Sequence, residues 1–97
     1  MLAFSPGQMA KQLPTTKETA STIGDRSDFV RLVNESDSVQ TVVMVDSNTE
    51  KPSEMGSIRL QPKEVMILWK RREHHRMYAS SELVWGTGGM VRPAGIQ

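Results

Sequence analysis

The residues with the most chemical potential in this sequence lie together at positions 70–76, whose sequence is KRREHHR. Four permanent cations, two histidines and one carboxylate occupy these seven positions. Arginine and lysine bind phosphates and carboxylates, and histidine binds metals, so the segment suits several tasks. It also has the composition of a charged, solvated turn between two strands. All of these interpretations are open from the segment alone.

A metal site is the interpretation that the spacing supports least. His74 and His75 are adjacent, so on an extended chain their side chains point to opposite sides and do not converge on one ion. Glu73 is the only nearby carboxylate, and the chain contains no cysteine. The surrounding cations also repel a metal ion. We therefore predict no metal site and no metal cofactor.

A nucleic-acid interface would use the cations of residues 70–76 against phosphates. Trp69 and Tyr78 flank the segment and could stack on bases. Trp69, however, alternates with Val65 and Ile67, and we expect that face in the core. No recognition helix, RNA-binding aromatic motif or zinc finger accompanies the segment. A small nucleic-acid-binding module using the 70–76 loop is therefore kept as the alternative function.

A protein interface is the third interpretation of the same loop. Arginine forms bidentate pairs with carboxylates, so the loop could meet Glu35 or Asp37 of a neighbouring subunit. The two histidines would make that contact sensitive to acid below about pH 6.5. The loop residues expected at this interface are Arg71, Arg72, His74, His75 and Arg76.

The sequence contains no recognisable catalytic constellation. It lacks a cysteine nucleophile and a Gly-x-Ser-x-Gly elbow. Residues 86–89 (GTGG) are glycine-rich, but the lysine and following helix of a phosphate-binding loop are missing. We interpret them as flexible backbone leaving the last strand. The carboxylates lie in turns, away from the apolar surroundings that shift pKa values. We predict no enzyme, no catalytic residues and no bound cofactor.

Length and composition limit the fold to one small domain. The chain has 97 residues and a net charge of +1, so its overall charge does not indicate a polyanionic partner. The absence of cysteine excludes disulfides. The start of the chain lacks the basic and apolar regions of a signal peptide. The longest apolar run, residues 65–69, is too short to span a bilayer. We expect a soluble protein without a membrane partner.

Charge is distributed unevenly along the chain. Residues 28–56 hold two cations and six anions, a net charge of −4, whereas residues 57–97 hold seven cations and three anions, a net charge of +4. Antiparallel strands bring distant segments together, so the two regions could pair within the fold. They could also form opposite faces that attract a second copy.

From residue 28 onward, short β-rich segments alternate with turn clusters. The turns lie at residues 34–38, 46–56 and 61–64. The predicted strands span residues 29–33, 39–45, 57–60, 65–69, 76–79, 82–85 and, as a last edge, 90–91. Short strands at intervals of roughly 8–12 residues are typical of sandwiches and barrels. We therefore predict an all-β fold, a small antiparallel β-sandwich or barrel of six to seven short strands. In the second strand, alternation favours a buried face formed by Val39, Thr41, Val43 and Val45.

The first part of the chain has a different composition and is predicted to be an extended N-terminal arm. Residues 1–27 contain few large apolar side chains and are interrupted by prolines and glycine; residues 8–20 favour at most a short helix. We assign residues 28–92 to the β-sandwich domain and residues 93–97 to a C-terminal tail. A domain this small gains stability by docking, so we favour insertion of the arm into a neighbouring subunit, with packing on its own domain as the alternative. On this hypothesis, deletion of residues 1–27 leaves a folded domain. The expected anchors are Leu2, Phe4, Met9 and Leu13.

The strand region, FVRLVNESDSVQTVVMVD…GSIRLQPKEVMILWK…RMYASSELVWGTGGMV, resembles small virion proteins of tailed phages, especially marine and cyanobacterial ones. The resemblance covers residues 29–91. It comprises a strand ending in asparagine, a Leu-x-Pro-Gly-Glu-like turn at residues 60–64 and an apolar strand ending in Lys70. An Ala-Ser pair at residues 79–80 and a valine strand near residues 84–87 follow. Lys63 replaces the glycine of that turn, and the basic loop replaces the Thr-Asp that often follows the lysine. The arm has no counterpart.

The resemblance implies a non-enzymatic β-domain that works by docking. The expected function is that of a structural protein located in a tailed-phage virion, either a capsid decoration or a tail or head–tail accessory. Its partners would be other capsid or tail proteins, copies of itself, or both.

Overall fold

In the computed structural model, residues 2–47 and 53–93 are described, and they form eight strands and two short 3-10 turns without an α-helix. The predicted all-β fold is confirmed. The strands are β1 (Leu2–Pro6), β2 (Lys11–Gln12), β3 (Phe29–Asn34), β4 (Gln40–Asp46), β5 (Ser53–Leu60), β6 (Val65–Trp69), β7 (His75–Ala79) and β8 (Val84–Pro93). The 3-10 turns are η1 (Lys17–Thr19) and η2 (Arg72–His74). Within these residues, no helix has the length and apolar character needed to cross a membrane.

The strands form two antiparallel sheets that enclose one core. The large sheet has the order β1-β8-β3-β6, and β2 pairs with β8 beside β1. The small sheet has the order β5-β4-β7. The buried core draws on both sheets and on the segment between β2 and β3; its members are Leu13, Ile23, Val30, Leu32, Val42, Leu60, Met77, Ala79 and Val84.

The N-terminal region is part of this domain and does not extend from it. β1 pairs with the second half of β8, from Leu2 opposite Pro93 to Pro6 opposite Gly89. Ile23 is only 1% exposed and lies in the core. The predicted arm at residues 1–27 is therefore wrong for the described residues 2–27. Composition misled the prediction because this segment buries a few apolar side chains and takes its pairing from β8.

The glycine run in β8 explains how the N-terminal segment packs so closely. A Cβ atom on Gly86 would lie 2.9 Å from Cδ1 of Leu13 and 3.1 Å from Cγ2 of Ile23. A Cβ on Gly88 would overlap the carbonyl oxygen of Ile23. Residues 86–89 are thus strand backbone against which the segment packs, and the prediction of a flexible exit is wrong.

In β4 and β6, the side chains that face the core are not those predicted from the alternation of residues along the strand. In β4, Val42 and Val45 are buried and Val39, just before the strand, is 46% exposed. Val42 and Met44 face the core, opposite the buried Ala79 and Met77 of β7, so the core-facing set in β4 is the opposite of the one expected. Val45 lies on the other side, opposite Arg76, in a cavity that it shares with Ala20. In β6, the side chains expected in the core face outward, because Met66 and Leu68 pair with the buried Leu32 and Val30 of β3.

The turns that carry the phage-protein resemblance have structural roles. Asn34 is fully buried, and its Nδ2 atom donates to the carbonyl oxygens of Ser38, Leu60 and Gln61 at 2.8–3.1 Å. It thereby joins the end of β3 to the turn between β5 and β6. In that turn, Lys63 has a φ of 63°, the left-handed conformation that glycine adopts without steric cost. The predicted loop at residues 46–56 is shorter than expected because β5 begins at Ser53; its residues 48–52 lie outside the described residues.

Candidate docking site

Two side chains of the basic loop, Lys70 and His75, lie inside the fold. Lys70 is fully buried, and its Nζ atom donates to the carbonyl oxygens of Gly24 at 2.9 Å and Arg72 at 2.6 Å. Burial lowers the pKa of Lys70, and the charges of Asp25 and Asp28 partly offset that effect. Lys70 therefore fastens the segment before β3 to the loop and does not offer a charge to a partner.

His75 is also inside the fold, which corrects its assignment to an interface. It is 5% exposed, and its Nδ1 atom accepts a hydrogen bond of 3.1 Å from the backbone N–H of Arg71. Its ring lies edge-on to Trp69 with a centroid separation of 6.2 Å. Burial lowers the pKa of His75, so the neutral form that accepts this bond prevails at neutral pH.

The remaining loop residues expected at an interface lie at the surface. Arg72 pairs within the chain, with Nε 3.0 Å from Oδ1 of Asp28. His74 is half-buried with Nε2 3.8 Å from Oε1 of Glu73. Arg71 and Arg76 are exposed. The pair between Arg72 and Asp28 joins the basic end of the chain to its acidic middle, as does the pair between Lys63 and Asp37 at 3.5 Å. Both ion pairs therefore join the acidic and basic regions within one chain.

The four predicted N-terminal anchors separate into two groups. Leu13 is 2% exposed in the chain's own core, so its assignment to a neighbour is wrong. Leu2 and Met9 are 68% and 83% exposed, and Phe4 is half-buried. Phe4 lies in β1 opposite Val91 of β8, on the large sheet. The structure therefore brings Leu2, Phe4 and Met9 to the edge of a different feature.

That feature is the outer face of the large sheet, the side turned away from the small sheet. Directly opposite residues in an antiparallel pair project to the same side, so the register defines the face. One row contains Trp69, Phe29 and Gly89, and the next contains Ile67, Arg31 and Thr87. The apolar members of the outer face are Phe4, Phe29, Val33, Val65, Ile67, Trp69, Trp85 and Val91. They include both tryptophans and both phenylalanines of the chain.

The apolar side chains of the outer face are partly or largely exposed. Trp69, Val65 and Ile67 are 60%, 46% and 44% exposed, and the other apolar members are half-buried. Four strands at about 4.8 Å spacing and about 17 Å length give a projected area on the order of 300 Å². The largest apolar patch on a typical monomeric protein is of about this size and is often functional.

One charged side chain interrupts the apolar pattern. Arg31 is exposed in the middle of the outer face, with Ile67 opposite it on one side and Thr87 on the other. It also lines a shallow cavity of about 410 Å³, together with Phe4, Met9 and Thr87. No salt bridge to Arg31 occurs within residues 2–47 and 53–93. A guanidinium in such surroundings is suited to a carboxylate, which it can bind with two parallel hydrogen bonds.

Sequence reasoning missed the outer face because two alternating apolar sets are present in the strands that build it. Residues 29–33 (FVRLV) and 65–69 (VMILW) have apolar residues on both faces, and alternation does not say which set is buried. The available signal was Arg31, because a charge in the middle of one set marks that set as the external one.

Other kinds of site were also sought in the described part of the chain. There, no group of three or more histidine, aspartate or glutamate side chains is placed to hold a metal ion. A scan against protein-family models finds no matching family, and searches of curated proteins and of solved structures find no significant match.

Proposed function

We propose that the chain is a non-enzymatic structural protein of a tailed-phage virion, acting as a capsid decoration or as a tail or head–tail accessory. The observation that carries the docking role is the outer face, which groups four aromatic side chains around Arg31. The assignment to a virion rests on the resemblance of residues 29–91 to small phage virion proteins.

The partner is another virion subunit that presents a carboxylate within an apolar surface. Covering the exposed parts of the aromatic side chains supplies the affinity, above all at Trp69, which is 60% exposed. The carboxylate pairs with Arg31 and fixes the register, since a buried guanidinium without a partner costs several kcal/mol. Two copies meeting through their outer faces about a two-fold axis at Arg31 would bring two guanidinium groups together. Charge complementarity therefore favours an acidic partner of different sequence.

This mechanism replaces arm exchange. Leu2, Phe4 and Met9 take part as the rim of the outer face and remain on their own subunit. Leu13 is needed in the core. The loop that holds Arg71 and the Asp28-bound Arg72 borders the face beside Trp69 and adds polar contacts at that end.

The test is incorporation into particles. Virions are purified from cells that are infected by the phage and supply a tagged copy of the chain, and the tagged copy is quantified by mass spectrometry. We expect wild type and Arg59→Glu, a matched change on the exposed side of the small sheet, to be incorporated. Arg31→Glu should fall at least tenfold, because it repels the partner's carboxylate. Absence of the wild-type chain from virions, or equal incorporation of Arg31→Glu, contradicts the proposal.

A small nucleic-acid-binding module is the second candidate, favoured by one observation. Trp69 is 60% exposed and shares a shallow cavity of about 300 Å³ with Arg71 and Arg72. A base could stack there with its phosphate near Arg71. This hypothesis predicts retardation of single-stranded DNA or RNA at low salt, and loss of retardation in Arg71→Ala/Arg76→Ala. If neither nucleic acid is retarded by the wild-type chain at low salt, this candidate is removed.

A further inference from the structure

The four sheet edges of this protein differ in how well they are protected. β7 is covered, because Met77 exchanges backbone hydrogen bonds with Ser21 and the N–H of Ala79 donates to the carbonyl oxygen of Pro14. β1 ends in Pro6, which has no N–H to donate. β5 carries Glu54 and Arg59. β6 has the sequence VMILW, with no charge and no proline, and in the described residues it pairs with β3 alone. Exposed apolar edges of this kind recruit another strand.

The backbone of β6 is oriented for such pairing. The N–H of Asn34 donates to the carbonyl oxygen of Glu64, and the N–H of Lys70 donates to that of Asp28. Bonding alternates along an antiparallel pair, so every second residue from Glu64 to Lys70 bonds to β3. The residues between them, Val65, Ile67 and Trp69, direct their N–H and carbonyl groups away from the sheet.

The sandwich is open beneath this edge. A groove of about 280 Å³ separates β6 from β5. Its apolar lining consists of Val42, Met44, Met55, Ile58, Leu68 and Trp69. Met44, Ile58 and Leu68 pack against the core while remaining only half-buried. A strand that pairs with β6 would cover both the free backbone groups and this groove.

We propose that the occupant is β6 of a second copy, paired antiparallel about a two-fold axis at Ile67. Val65 then lies opposite Trp69 of the second copy, and Ile67 opposite its own equivalent. These outward-directed residues form three hydrogen-bonded pairs, each of which exchanges two backbone hydrogen bonds, about six in total. The inner side chains Met66 and Leu68 also meet as a pair. The apolar strand is therefore complementary to itself on both faces, and the two open grooves close against each other.

Charge does not oppose this arrangement. The two Arg31 side chains lie in one cross-strand row and are separated by three strand spacings, about 14 Å, which exceeds the Debye length of about 8 Å. Lys63 approaches Arg71 of the second copy, but it is already held by Asp37 within its own subunit. The outer faces of the two copies become one continuous surface. The pairing goes beyond the proposed function, which needs only one copy and an acidic partner.

The contact is small, so its strength should depend on concentration. A five-residue edge is about 17 Å long, and interfaces below about 1,200 Å² in total are weak or transient. We expect a dissociation constant in the micromolar range, about 1–100 µM. The experiment is sedimentation velocity of the full chain from about 1 to 500 µM, which brackets that range. Amide hydrogen exchange is measured on the same samples.

Ile67→Lys is the test variant and Val39→Lys is its control, since both residues are exposed to a similar extent, 44% and 46%, and only Ile67 is on β6. We expect wild type and Val39→Lys to form dimers at high concentration, with the dimer at least tenfold weaker in Ile67→Lys. The amides of Val65, Ile67 and Trp69 should become protected as concentration rises. Those of Met66 and Leu68 should be protected throughout.

Two results would overturn the proposal. One is a wild-type chain that stays monomeric at every concentration, whether or not a foreign protein binds it. The other is a wild-type dimer in which the amides of Val65, Ile67 and Trp69 exchange freely. The second readout needs no variant, so it decides the question even if Ile67→Lys fails to fold. The edge pairing is tested on the isolated chain by its mass and by the exchange of the β6 amides, whereas docking is tested by incorporation of Arg31→Glu into virions, so the two proposals fail independently.

Discussion

Lys70 donates a hydrogen bond from Nζ to the carbonyl oxygen of Gly24, 2.9 Å away and 46 positions earlier in the chain. The same ammonium group donates to the carbonyl oxygen of Arg72 at 2.6 Å. One buried side chain thus connects the N-terminal segment, the end of β6 and the loop that follows it. Lys70 thus has a structural role, although a lysine in a charged segment would be expected at the surface.

Lys70→Ala should destabilise the protein by about 2–4 kcal/mol, because it leaves two carbonyl acceptors without their donor and opens a cavity. Arg71→Ala is the matched control, and its exposed side chain should change the free energy of unfolding by no more than about 0.5 kcal/mol. Urea denaturation measures both. Equal stability of the two variants would show that Lys70 is not a fastener.

Deletion of residues 2–27 should abolish folding, in contrast to the expectation of a detachable arm. The deletion removes Leu13 and Ile23 from the core and exposes the edge of β7. Circular dichroism and amide NMR dispersion of the 28–97 fragment are the measurements. A cooperative unfolding transition in the fragment would restore the arm hypothesis.

Gly86→Ala should cost about 1–3 kcal/mol, because its Cβ would lie 2.9 Å from Cδ1 of Leu13 in a packed core. Gly56→Ala provides the comparison, since nothing lies within 4 Å of the Cβ position there. Thermal and urea unfolding of the two variants should separate them clearly. If Gly86→Ala is as stable as Gly56→Ala, the close packing of the N-terminal segment on β8 is wrong.

Lys63→Gly should be more stable than Lys63→Ala by about 1 kcal/mol, because φ at this position is 63° and only glycine adopts it without cost. Both variants lose the pair with Asp37 and the bond from Nζ to the carbonyl oxygen of Glu35. The difference between their free energies of unfolding therefore measures the cost of the left-handed backbone conformation at this position. Identical urea midpoints for the two variants would mean that the turn relaxes to another conformation.

Acid should destabilise the protein through His75. Burial lowers its pKa in the folded state, so the unfolded chain binds a proton more readily near pH 6.5. The free energy of unfolding therefore falls as pH drops from about 6.5 toward the lower folded-state pKa. His75→Gln should flatten this part of the profile. Urea midpoints at several pH values test this, and an unaltered profile in His75→Gln contradicts it.

Much of the fold follows from local pattern in the sequence. The strands at residues 29–33 and 65–69 and the turn at residues 61–64 lie where β-rich runs and turn residues predict them. The location of Asn34 at the end of β3 also follows from the resemblance. These features depend on near neighbours in the chain, which a single sequence displays directly.

Features that depend on distant pairing could not be predicted. Nothing near Leu13 reveals that Gly86, 73 positions later, leaves room for it. Similarly, Val45 is buried on the side of β4 away from the core, in a cavity that it shares with the distant Ala20. The burial of Lys70 and His75 depends on the segment before β3 and on the loop itself. The candidate site was missed for the same reason, because the face that the small sheet covers decides which side of the large sheet is exposed.

The position of β8 in the large sheet has a consequence for how the protein is made. Among the described strands, β8 is the last along the chain, yet β1 and β2 pair with it alone. During translation, β1 and β2 therefore remain unpaired until β8 has been synthesised. Pairing over such sequence distances is slow, and unpaired strands are prone to aggregate while they wait. Translation products that end before Val84 should therefore leave β1 and β2 unpaired and should not form the large sheet.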